Sequence, residues 1–126
     1  MVCCAHGCNH CWLARARHKN PNHCFSARSK SHMGDYCAAV KCDGLGLDTS
    51  ADIDTIRAET GRDIVLQGNL DPMILVEGGE RLAQEVALIL QKTRGTKHIF
   101  NLGHGIVPQT PPDNVARLID LVRGDA

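Results

Sequence analysis

The chain has 126 residues with 14 basic and 14 acidic groups, so its formal net charge is zero with histidine neutral. That length allows one domain at most, or a piece of a larger one, and no apolar run is long enough for a signal peptide or a membrane-spanning helix. Seven cysteines, an odd count without secretory context, point to reduced thiols in the cytosol rather than a disulfide framework.

The even charge hides two unlike halves. Residues 1–34 carry five Lys or Arg and no acid, together with five of the seven cysteines and five of the seven histidines. Their only aliphatic residues beyond alanine are Met1, Val2, Leu13 and Met33, too few to offset chain entropy by burial, so this stretch is expected to be a disordered or unrelated segment. It opens on "CCAHGCNHCW", whose Cys4-x3-Cys8-x2-Cys11 spacing resembles the cluster loop of radical S-adenosylmethionine enzymes. Zinc is the other candidate, with His6 or His10 as a fourth ligand and His23 or Cys24 as completing groups. A histidine at position 10 replaces the aromatic of the radical loop, and "EGGE" (77–80), which mimics a later segment of those enzymes, starts a helical pattern instead of ending a strand. No structural frame holds the zinc candidates together. A metal-free tail is therefore expected, with a small Cys/His metal-binding module as the alternative reading. The basic charge is interleaved with few aromatics, which argues against nucleic-acid binding.

From residue 43 the pattern becomes regular. "DGLGLD" (43–48), "DIVLQGNLDP" (63–72) and "KHIFNLGHG" (97–105) are strand-length apolar runs bounded by turn formers. "TSADIDTIRAETG" offers Ser50 as a helix cap, Ile53 and Ile56 on one face and Gly61 as the stop. "EGGERLAQEVALILQKTRG" places Leu82, Val86, Ile89 and Leu90 on one helical face. "PPDNVARLIDLVRG" does the same with Val115, Leu118, Ile119 and Val122, between prolines and Gly124. Strands alternating with helices predict an α/β fold with parallel pairing and right-handed crossovers.

Polar residues follow each strand: Asp48, then Gln67, Asn69 and Asp71, then Asn101 and His104. In parallel α/β folds ligands meet the carboxyl ends of strands, so these side chains are expected on one face. Asp48 and Asp71 have an equally good reading as turn caps. His104, between Gly103 and Gly105, is expected to be aimed into a cleft by a backbone that allows close approach.

"LQGNLDP" (66–72), "IFNLGHGI" with "TP" following (99–111), "DGLGLD" and the closing "PPDNVARLIDLVR" resemble the uroporphyrinogen decarboxylase family from about residue 35 to 123. The resemblance implies the carboxyl-terminal three β/α units of a TIM-type (β/α)8 barrel, here incomplete, with residues 35–126 as that portion. It implies a cytoplasmic homodimer that removes carbon dioxide from the four acetate arms of uroporphyrinogen to give coproporphyrinogen, without metal or organic cofactor. Protonation of a pyrrole carbon would make the ring an electron sink for the departing carboxylate. Only His104 matches a residue the family places in its cleft, as a substrate contact. Gly103 would keep that strand end open, and Gln67, Asn69 and Asp71 would shape a loop.

The family's arginine-rich loop, the aspartate facing the pyrrole nitrogens and the cleft tyrosine and serine find no match. The chain is therefore expected to be inactive alone, and residues 1–34 to derive from a shifted frame or truncated gene. Cobamide-dependent methyltransferases share the barrel but place a zinc-bound cysteine where this chain has "NLGHG", which favours the decarboxylase family.

Overall fold

The computed structural model describes residues 23–26, 33–61 and 63–124. Four strands, β1 (His23–Ser26), β2 (Gly44–Leu47), β3 (Val65–Leu70) and β4 (His98–Leu102), form one parallel sheet in chain order. Helices α1 (Met33–Val40), α2 (Ile53–Thr60), α3 (Pro72–Glu77), α4 (Gly79–Thr93) and α5 (Pro112–Arg123) complete the alternation. The α/β class and parallel pairing agree with the sequence pattern, but the sheet has four strands where the pattern supplied three. The additional strand, β1, lies within residues 1–34 and pairs with β2 from His23 opposite Gly44 to Ser26 opposite Leu47.

Alternation divides each strand between two faces. Leu45, Leu47, Leu66, Leu70 and Phe100 enter one core with Leu75, Leu82, Val86, Ile89, Leu118 and Val122 from the helices. Gly46, Gln67 and Asn101 stand at the intervening positions. An unreversed strand order with crossovers of one hand carries every helix to a single face, as this shared core requires. Leu45, Leu66 and Leu82 have no exposed surface, and each fully buried side chain of this size contributes about 1.5–3 kcal/mol.

Local chemistry sets the helix ends. Ser50 is not the cap of α2; Asp52 is, accepting from the Thr55 N–H at 3.1 Å. Ser50 instead donates through its N–H and Oγ to Asp48 Oδ1, at 2.8 and 2.7 Å. The Thr55 hydroxyl and Lys92 pull Asp52 down to about 2, so the cap stays ionised well into acid. Lys92 Nζ lies 3.1 Å from Asp52 and 2.9 Å from Asp54, which clips α4 to the start of α2. The stretch expected to open a single helix at "EGGE" is divided between α3 and α4 at Gly78, whose φ is 68°. A side chain at Gly78 would collide with Asn114, whose Nδ2 donates to the terminal α3 carbonyls of Leu75 (2.9 Å) and Val76 (3.1 Å).

At the opposite end of the sheet, Arg57 of α2 binds three carbonyls: Ile64 at 2.6 Å, Gly61 at 3.2 Å and Lys97 at 3.0 Å. One guanidinium thus joins the end of α2 to the entries of β3 and β4. Arg57→Ala is expected to lower stability by roughly 1.5–3 kcal/mol, the scale of hydrogen bonds from a charged donor, read as a lower urea midpoint. Arg57→Lys should recover only part of the loss, because an ammonium cannot reproduce the planar fork. A wild-type midpoint for Arg57→Ala would remove this role.

Cys37 is a buried free thiol that burial pushes up, while Cys42 is disulfide-bonded. The expectation of reduced thiols therefore fails at Cys42. Among the described residues no helix is long and apolar enough to cross a membrane.

Candidate functional site

Parallel strands bring their carboxyl ends to one edge, and there a cleft of about 530 Å³ opens, within the size range of small-ligand sites. Strand β2 contributes Gly46, Leu47 and the following Asp48; β3 contributes Gln67; β4 contributes Asn101 and Leu102. The loop after β4 adds Gly103, His104, Gly105 and Ile106. Register explains the floor: Gly46 is opposite Gln67, and Asn69 is opposite Asn101.

The strand-end polar residues divide into two groups. Asp48 lines the cleft but is only 8% exposed, and its carboxylate turns the chain by accepting both bonds from Ser50. Asn69 donates to the carbonyls of Asp48 (3.2 Å) and Ala51 (2.6 Å), fastening the same loop from below. Asp71 caps α3 by accepting from the Met73 N–H at 2.8 Å. These three shape turns. Gln67, expected to act with them, lines the cleft instead, as do Asn101 and His104.

Two glycines let the loop after β2 lie across the strand ends. Gly68, at φ 127°, faces the Leu47 carbonyl, which an added Cβ would approach to 2.7 Å. At Gly103 a Cβ would come within 2.5 Å of the Thr49 backbone nitrogen and 2.9 Å of the Asp48 carbonyl carbon. Its own N–H is fixed by the Leu70 carbonyl at 2.8 Å. Gly103 therefore accepts a neighbouring protein backbone rather than keeping the strand end open, whereas Gly105 has nothing within 4 Å of its Cβ position.

His104 is exposed and lines the same cleft as residues from all three strand ends. Sequence reasoning missed Ile106, a cleft residue left 56% exposed, whose signal is a large apolar side chain placed straight after "GHG". Beside it Leu102 is half-buried, whereas Leu47 reaches the cleft edge with its side chain packed in the core. No lysine, arginine or cysteine lines the cleft among the described residues. The Cys4, Cys8 and Cys11 cluster with His6 and His10 lies outside the described residues, and the side chains of His23 and Cys24 are likewise not described. Within the described residues no three His, Cys, Asp or Glu side chains gather as a metal centre would need.

A chain-ordered parallel sheet sharing one core with its helices, and a half-apolar cleft at its carboxyl edge, define a β/α protein with a strand-end ligand site. A model of the uroporphyrinogen decarboxylase family matches residues 11–124. The chain belongs to that family. It is 48% identical over 91 residues to the uroporphyrinogen decarboxylase of Granulibacter bethesdensis, covering 72% of this chain and 26% of the relative. The Gluconobacter oxydans enzyme of that name is 42% identical over 113 residues, 86% of this chain and 32% of the relative. That of Rhodospirillum rubrum is 53% identical over 81 residues, 64% of this chain and 23% of the relative. The chain thus spans about a quarter to a third of the length of these curated relatives.

Proposed function

We propose that this chain is the carboxyl-terminal part of a uroporphyrinogen decarboxylase barrel, and that its cleft receives one side of the uroporphyrinogen macrocycle. In this reading the four parallel strands are consecutive staves of a (β/α)8 barrel, and residues 35–126 carry the cleft. The observation that supports it is the meeting of apolar surface from Leu102 and Ile106 with the polar side chains of Gln67, Asn101 and His104 at the strand ends. A flat pyrrole ring suits the apolar surface, and carboxylate arms suit the polar side. The reaction is carboxy-lyase chemistry: the four acetate arms lose carbon dioxide and become methyl groups. The family resemblance supports a cytoplasmic homodimer working without metal, organic cofactor or nucleic acid.

His104 contacts a carboxylate arm. A neutral imidazole donates one N–H to it, and an imidazolium adds charge to the same bond. The described residues offer no arginine in the cleft to hold the remaining arms, so the chain alone is expected to bind the macrocycle weakly and not to decarboxylate it. Quenching of uroporphyrin III fluorescence on titration with the purified chain tests both parts. Binding is expected, and His104→Ala should weaken it by about tenfold, equivalent to ~1.4 kcal/mol. No quenching by the unaltered chain would overturn the proposal. Turnover of uroporphyrinogen by the chain alone would overturn the inactivity.

A further inference from the structure

The cleft contains one side chain whose donors are oriented by the fold and not otherwise used. Asn101 Oδ1 accepts the N–H of the next residue, Leu102, at 2.9 Å. The bond fixes the orientation of the amide, and its NH2 group supplies the two donors it can offer a ligand. Its register partner on β3, Asn69, is committed differently: its Nδ2 spans the carbonyls of Asp48 and Ala51. One of two paired asparagines therefore builds the loop, and the other lines the cleft with His104. The single carboxylate in the lining, Asp48, is turned onto Ser50. What remains facing a ligand is the amide of Asn101 with Gln67 and His104, and no lysine or arginine is among the lining residues described.

We propose that Asn101 is a specificity-determining contact, whose Nδ2 donates to a carboxylate arm of the tetrapyrrole beside the arm met by His104. This inference rests on the reading of the cleft as a macrocycle site. Discrimination follows from the unused donors. A ligand lacking an acid at this position leaves the amide NH2 half-buried without a partner, whereas one that has it completes the amide.

Asn101→Asp is the informative variant, because its carboxylate still accepts the Leu102 N–H but meets an arm with like charge. Uroporphyrin III affinity of the chain should fall tenfold or more, with an unchanged urea midpoint. The deficit should shrink as salt is raised from low to molar ionic strength, since repulsion between partly exposed charges is screened. Asn101→Ser, which shortens the donor without adding charge, should weaken binding several-fold at every salt concentration. Equal affinity of the unaltered chain and Asn101→Ser, or a salt-independent deficit in Asn101→Asp, overturns the assignment of Asn101 alone. Failure of the unaltered chain to bind uroporphyrin III overturns the macrocycle reading beneath it.

Discussion

Replacing Phe100 with alanine is expected to abolish the cooperative unfolding transition of the chain. Phe100 is 1% exposed and sits mid-strand in β4, where its Cα is opposite Gly68. Its ring belongs to the core formed with Leu66, Leu70 and the helix residues. Truncation of a buried phenylalanine removes its transfer free energy and leaves a cavity, together about 3–5 kcal/mol. Small domains are stable by roughly 5–15 kcal/mol in all, and a sheet of four strands lies at the low end, where this single change consumes most of the margin. Far-ultraviolet circular dichroism in urea is the measurement. A sharp transition at the wild-type midpoint would show that β4 does not anchor the core.

The second large effect is expected in mild acid and centres on His98, the first residue of β4. Its ring meets Phe100 edge-on, with centroids 6.5 Å apart and planes at 85°. The residue is half-buried, but both ring nitrogens are shielded from water. Burial, reinforced by the Arg57 guanidinium, lowers its pKa to about 4 against the opposing influence of the Gly68 backbone. The nitrogens decide the outcome, because it is their access to water that protonation depends on.

A histidine lowered in the fold binds its proton more readily when unfolded. Stability is therefore complete above the unfolded value of about 6.5 and is lost as pH falls from there towards 4. The shift corresponds to a loss of about 3 kcal/mol across that window at ~1.4 kcal/mol per unit. His98→Leu should remove this loss and leave stability level between pH 7 and 4.5, as read by urea titration at each pH. Equal acid sensitivity in His98→Leu would place the cause elsewhere.

The sequence was informative wherever a local rule decides the outcome. Leu82, Val86 and Ile89 recur at helical spacing, and all three are buried in α4. The runs around Leu66 and Phe100 are flanked by turn formers and became β3 and β4. The strand-end rule located the edge on which Gln67, Asn101 and His104 line one cleft. Elements that depend on distant partners were not legible. "HCFS" has no apolar alternation of its own and is a strand through its pairing with β2. Helix α3 is six residues long, with Pro72 at its start and Gly78 at its end, so it merged with the pattern that follows. The cap of α2 fell at Asp52 and not at the expected Ser50, whose N–H and hydroxyl are engaged by Asp48. The separate fates of Gln67 and Asn69, two positions apart in the same motif, follow from the loop after β2, which brings the Asp48 and Ala51 carbonyls to Asn69 alone.

Gly103 also bears on what can vary in this protein. Main chain approaches main chain where Thr49 rests on Gly103, and Asn69, outside the cleft lining, fastens the same loop, so the span between the second and fourth strand tips is set by groups other than the polar and apolar side chains of the cleft. The gape of the mouth is thereby uncoupled from the chemistry of its walls. Residues such as Ile106 or Gln67 can be exchanged to suit a different guest, while the frame that holds them keeps its dimensions.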